Sequence, residues 1–253
     1  MKHIYGPVPS WRLGRSLGID LVSGEKSCPF DCIYCQLGKT IRHIIKRQVF
    51  VPTAELVKEL ETLPRMGIDY ITFSGTGEPT LALNLGEVID QIKGRFSKPV
   101  AVLTNSSLLH DPQVRRELGR ADRIIAKLDA PNEKIFRIIN QPTNGITFYM
   151  ILEGIRRFIE EYPGKLALQI MFVPQNKDHA ADLANLAKQI NPVEVEINTP
   201  LRPCPIKPLS PKELSKIKEL FKPLKAYSAY DVVRPETKSM DEVETRRRRP
   251  EAR

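Results

Sequence analysis

With 253 residues, 41% of them hydrophobic and 27% charged, the chain has the ordinary composition of a soluble globular protein and the length to bury a sizeable α/β core. No run of about 18 apolar residues is present, which excludes a membrane-spanning helix, and "MKHIYGPVPSWRLG" lacks the apolar core of a secretion signal. The net charge of +9 is uneven: the terminal "TRRRRPEAR" supplies +4 of it, a pattern open to two readings, a nucleic-acid partner or a solvated basic tail.

In chain order, "LGIDLVS" (17–23) reads as a strand leading into the cysteine loop "CPFDCIYCQLG". "TAELVKELETLPRM" (53–66) follows as an amphipathic helix, with Thr53 as candidate N-cap and Leu56, Val57, Leu60 and Leu63 on one face. Further strands are expected over 69–75, 99–105, 122–130, 165–173 and 193–200, with helices near 84–96, 111–121, 148–162 and 178–190. Strands separated by helices spell parallel βα units, in either an open doubly wound sheet or an incomplete barrel. In both, functional residues belong at the strand C-terminal ends. "SGTGEP", "TNSS", "LDAP" and "NTPLRP" fall there. Beyond Pro200 a proline-rich stretch reads as an extended connector, followed by a short helix within "PKELSKIKELFKPL". The chain thus divides into a core domain, residues 1–205, and a C-terminal extension, residues 206–253, whose basic tail is expected to be disordered.

Cys28, Cys32 and Cys35 stand within eight residues of one another, and the fourth cysteine is Cys204. A cytoplasmic location is the expectation, and where thiols stay reduced such a cluster reads as a metal or catalytic site. The spacing leaves two metals open. A structural zinc wants four ligands; the fourth would be the distant Cys204, since His43, eight residues past Cys35, matches no usual zinc spacing. A [4Fe–4S] cube accepts three protein thiolates if one iron keeps an open position for an exogenous ligand.

"CPFDCIYC", with Tyr34 as the aromatic residue before its last cysteine, resembles the CxxxCxΦC cluster motif of the radical S-adenosylmethionine (SAM) superfamily. "SGTGEPTL" resembles the Gly-Gly-Glu-Pro element that ends the second strand in that superfamily and holds the SAM amino group. The matching positions are Gly75, Gly77 and Glu78, with the first glycine displaced by one residue. By the same resemblance Asn105 and Asp129, and with them Thr104 and Ser106, stand where the family contacts the SAM ribose or carboxylate. Gln169 and Asn198 are further candidates, as polar residues on apolar strands.

The resemblance implies an α/β fold: an incomplete (β/α)6 TIM-type barrel of parallel strands with a short C-terminal extension. It also implies a [4Fe–4S] cluster on the three clustered cysteines, SAM as cofactor and an external one-electron donor. The reaction implied is reductive cleavage of SAM to a 5′-deoxyadenosyl radical that takes hydrogen from a substrate. "GPVPSWRLGRSLGIDL", "AKLDA" and "NTPLRPCPIKPLS" are in addition similar to the radical SAM proteins grouped with the archaeal tRNA 4-demethylwyosine synthases. That likeness implies tRNA as a candidate substrate, although the second, N-terminal cluster of those synthases has no counterpart in this sequence. Two other classes stand beside this reading: a basic nucleic-acid-binding protein with a structural metal site, and an Fe–S electron carrier with Cys204 as fourth ligand. Arg12 and Arg15 are divided between anion binding and the solvated surface, and Cys204 between a catalytic thiol and a free buried one.

Overall fold

The computed structural model describes residues 2–250 and arranges them about one eight-stranded sheet. A hairpin comes first, β1 (Ile4–Ser10) antiparallel to β2 (Gly14–Ile19). β3 (Ser27–Cys28) and β4 (Arg42–His43) then form a small separate ladder. The βα units follow: α1 (Thr53–Glu61), β5 (Tyr70–Phe73), α2 (Leu85–Lys93), β6 (Val100–Thr104), α3 (Pro112–Leu118), β7 (Arg123–Lys127), α4 (Glu133–Ile139), α5 (Phe148–Glu161), β8 (Leu166–Met171), α6 (Ala180–Ile190) and β9 (Glu194–Asn198). The chain closes with α7 (Pro211–Glu219), β10 (Ala226–Ser228) and α8 (Glu242–Arg248).

The strand order is β1-β2-β5-β6-β7-β8-β9-β10, parallel at every pairing after the first. The sheet curls into a half-barrel whose edges, β1 and β10, do not pair with each other. This is the incomplete barrel expected from the sequence, with two more strands than expected. Pro7 and Pro9 hide β1 from a propensity reading; an edge strand tolerates proline because one row of its backbone groups has no ladder partner. α1 ends at Glu61, short of the expected Met66, because Pro64 cannot continue a helix and disfavours helical backbone just before it. Thr53 is the first helical residue and not the cap; its hydroxyl accepts from Asn84 Nδ2 at 3.0 Å.

Side chains on the strands alternate with period two. Val100, Val102, Ile124, Ala126, Leu166 and Leu168 join the large core beneath the helices, while Ala101, Ile125 and Ala167 pack with Leu13 in a second, small cluster. The alanines on that second face leave room for a cavity beside them. On the helical side α5 drives Ile155 and Phe158, both wholly buried, into the large core.

The C-terminal residues belong to the same sheet. β10 lies parallel to β9, and the chain then crosses to the opposite edge, where Met240 N donates to Gly6 O at 2.7 Å and Gly6 N to Thr245 Oγ1 at 3.0 Å. The expected disorder of the basic tail is corrected as far as residue 250. Arg248 is wholly buried: Nε donates to Asp20 Oδ2 at 2.8 Å, Nη2 to Lys2 O at 2.6 Å, and Nη1 to the Glu244 carboxylate. A guanidinium that gains two carboxylates in a dry setting holds the helix that carries it. Arg253, the last of the terminal arginines, lies outside the described residues. No helix among the described residues is long and apolar enough to cross a membrane.

Candidate active site

The cysteine loop leaves β3 at Cys28 and turns tightly, with Cys35 N donating to Cys32 O at 2.9 Å and Gly38 N to Cys35 O at 3.1 Å. The turn is tied to the barrel by amides. Asn105 Nδ2, just past β6, donates to Cys28 Sγ at 3.3 Å, and Asn140 Nδ2, at the end of α4, reaches Cys32 Sγ at 3.5 Å. Burial pushes both thiols up, Cys32 to about 11, with the neighbouring cysteine and Glu78 adding to the rise at Cys28. Cys204 stands apart, its thiol donating to Ile206 O at 3.2 Å.

The "GTGEP" turn after β5 docks on β3: Glu78 N donates to Ser27 O at 3.2 Å. Gly77 is required by this approach, and Gly75 by the close passage of Asp20 beyond β2. A Cβ on Gly77 would lie 2.1 Å from Ser27 O, and one on Gly75 would lie 2.1 Å from Asp20 Cγ. Absence of a side chain therefore serves the junction between turn and cysteine loop, a role the motif alone did not suggest. Glu78 is buried and fully engaged, accepting from Thr80 Oγ1 at 2.7 Å, Thr104 Oγ1 at 2.6 Å and Asn105 N at 2.7 Å. Burial raises its pKa against those donors.

Tyr34 and Asp129, both candidates from sequence, meet each other. The Tyr34 hydroxyl donates to Asp129 Oδ2, which also accepts from Asn140 Nδ2 at 2.9 Å, while Oδ1 accepts from Met171 N at 2.8 Å. Asp129 is buried and turned toward these partners, outside the cavity lining, whereas Tyr34 lines the cavity. Ser106 also lies off the lining; at φ 70° it shapes the turn, its hydroxyl donating to Lys127 O at 2.9 Å.

The cavity, about 310 Å³, is lined by Cys28 and Cys35, by Gly75, Gly77 and Glu78, and by Asn105. Thr104, Gln169 and Asn198 line it as well, and Gln169 Nε2 is buried there without a hydrogen-bond partner among the described residues. The sequence reading missed most of its basic groups. Lys26, Lys127, Arg202, Arg234 and Arg249 join Arg12 in the lining, against Glu78 as its single acidic residue among the described residues. Lys127 Nζ donates to the Tyr34 hydroxyl at 2.6 Å and lies 4.3 Å from the ring centroid. Lys127 stands in the quoted "KLDA", so its position at a strand end was the available signal. Arg12 and Arg15 separate: Arg12 enters the cavity, and Arg15 pairs with Asp69 at the half-exposed end of β2.

The donor set fits an iron–sulfur cluster. Three soft thiols share one loop, Cys28 and Cys35 lining the cavity, with Cys28 and Cys32 accepting amide N–H groups, while the loop's one carboxylate, Asp31, is engaged by Thr40 N at 2.7 Å. No three His, Cys, Asp or Glu side chains among the described residues converge as ligands of one metal ion would.

The sequence matches the family described as the Radical SAM superfamily over residues 26–187. UPF0026 protein slr1464 of Synechocystis is 46% identical over 205 residues, which cover 80% of this chain and 77% of that protein. The fold is similar to a radical SAM methyltransferase from Sphaerobacter thermophilus, with TM-score 0.65 and 16% identity over 84% of this chain and 65% of that one. It is also similar to archaeal TYW1, with TM-score 0.58 and 15% identity over 85% of this chain and 74% of that one.

Proposed function

This chain belongs to the radical SAM superfamily, enzymes whose cofactors are a [4Fe–4S] cluster and SAM, and we propose that its cavity holds both at the cysteine loop. Cys28, Cys32 and Cys35 are the proposed cluster ligands, leaving one iron for SAM. When bound, the reduced cluster supplies the electron that splits the SAM sulfonium, giving methionine and a carbon radical able to take hydrogen from a substrate.

The protein's own part is positioning. Asn105 and Asn140 each place an amide N–H on a cysteine sulfur, which favours the thiolate needed for ligation. Asp129 fixes Tyr34 and, through Asn140, the loop between Cys32 and Cys35. The backbone of Gly75, Thr76 and Gly77 is assigned to the SAM ammonium. Glu78 sets that turn and presents Asn105, so the proposed cofactor role of Glu78 runs through its neighbours. An external one-electron donor completes the system. For the substrate, a tRNA nucleoside is the favoured class, on the net charge of +9 and the basic cavity lining.

The observation that carries the proposal is Asn105, which joins the two motifs by donating its backbone N–H to Glu78 and its amide to Cys28. Anaerobic reconstitution tests it. The expected result is about four irons per chain, a brown protein, and release of 5′-deoxyadenosine from SAM under dithionite. Colourless protein retaining one zinc per chain would sink it.

A further inference from the structure

We propose that Arg12, Arg202, Arg234 and Arg249 form a phosphate-binding subsite of the cavity, so that the substrate presented there carries a phosphate ester or diphosphate. The proposal rests on the reading of this cavity as the active site and adds the chemistry of what enters it.

The four residues are far apart in sequence, yet all come from segments at or next to the two unpaired sheet edges. Arg12 sits in the turn joining β1 and β2, and Arg202 follows β9. Arg234 follows β10, and Arg249 follows α8, which lies against β1. The fold therefore gathers four guanidiniums at one cavity. Like charges in a partly dry setting repel, and each must be held there by something. Burial, with Arg249, Arg234 and Arg12 adding repulsion, pushes Arg202 down to about 9.

Counter-charge is scarce. Of the four, only Arg12 has a carboxylate within ion-pair distance among the described residues, Glu196 Oε2 at 3.3 Å. Glu78, the one acid in the lining among the described residues, has its oxygens occupied by Thr80, Thr104 and Asn105. Hydrogen bonds are short as well: Arg202 Nη1 is buried without an acceptor among the described residues, while Arg12 Nε has only the Glu196 carboxylate facing it. A buried donor left unmade is costly, so the arrangement is completed by an acceptor that the protein does not supply.

The geometry suits an oxyanion with several acceptors. Guanidinium forks pair with phosphate bidentately, and two of these are braced by aromatic rings. Arg12 lies 5.0 Å from the Trp11 ring and Arg249 lies 5.6 Å from the Tyr5 ring, with Arg249 Nη2 also donating to Ser74 Oγ at 2.7 Å. A SAM carboxylate, with one charge, would leave most of the quartet unmatched.

The test is equilibrium binding of pyrophosphate to the cluster-loaded enzyme, with and without SAM, at low ionic strength. Saturable binding that persists with SAM bound is expected. Arg202→Gln and Arg234→Gln should each weaken it about tenfold or more, while Arg116→Gln, on the exposed face of α3, leaves it unchanged. Should Arg202→Gln fold poorly, the exposed Arg234 carries the comparison. Competition distinguishes the sources: displacement by a nucleoside triphosphate assigns a free nucleotide, and displacement by tRNA assigns an RNA phosphate. No saturable binding, equal loss in Arg116→Gln, displacement by SAM, or displacement by neither nucleotide nor tRNA each overturns the proposal. Iron content and 5′-deoxyadenosine, measured on the same samples, separate failure of the cofactor reading from failure of the subsite.

Discussion

The cysteine-bearing and arginine-bearing parts of the cavity lining are built on opposite plans. Around the cysteines most candidate side chains are already answered: Asn105 on Cys28, Asn140 on Cys32, Tyr34 on Asp129, and three donors on Glu78. Around the arginines the groups are gathered but only partly answered: Arg12 pairs with Glu196 and Arg249 Nη2 donates to Ser74 Oγ, while Arg202 Nη1 lacks an acceptor among the described residues. The difference separates two costs. The first region is organised before anything binds, so its ligands meet fixed geometry. The second stores unpaired donors whose cost is recovered when an anion arrives.

That contrast can be broken in graded steps. Cys28→Ala removes a ligand, and reconstituted iron should fall from about four per chain to background, with 5′-deoxyadenosine formation lost; Cys204→Ala should leave both unchanged. Arg248→Ala strips the buried partner of Asp20, which also holds Thr76 of the glycine turn at 2.9 Å. Leaving that carboxylate unpaired costs about 3–5 kcal/mol, a fall of roughly 10 °C or more in Tm by calorimetry at this chain length. Asp129→Ala frees Tyr34, Asn140 and Met171 together, and a loss of about 2–3 kcal/mol in urea unfolding is expected.

The smallest effect sharpens the arginine side. Burial outweighs Arg12 and Arg123 and pushes Glu196 up to about 7 from an ordinary 4.5. The folded state then keeps a proton that the unfolded chain releases, so the contribution of Glu196 is full below that ordinary value and lost as pH rises through about 7. Wild-type stability should decline across this window relative to Glu196→Gln, seen as converging urea midpoints when pH is raised from about 5 to about 8. Parallel midpoints would mean the carboxylate is ionised throughout.

What was legible in the sequence follows the same division. The cysteine side is written in contiguous motifs, and the interior strands are apolar runs long enough to read: 99–105 was expected and Val100–Thr104 is found. Asp129 and Tyr34 were singled out separately, but only the fold shows that they serve each other across a sequence separation of 95. The arginine side has no local signature, since its residues converge only through sheet topology. β1 was hidden by two prolines that an edge position permits, and α8 looked like a charge run because its buried face is a single arginine.

The pairing of Asp20 with Arg248 spans 228 residues and so has a bearing on biosynthesis. During translation Cys28, Cys32 and Cys35 leave the ribosome well before the helix that latches the β1 edge has been made. At about 5–20 residues per second the interval is roughly ten to forty seconds. Until that helix emerges, Asp20 lacks the guanidinium that completes its hydrogen bonds, so the β1 edge and the glycine turn that Asp20 holds are finished last.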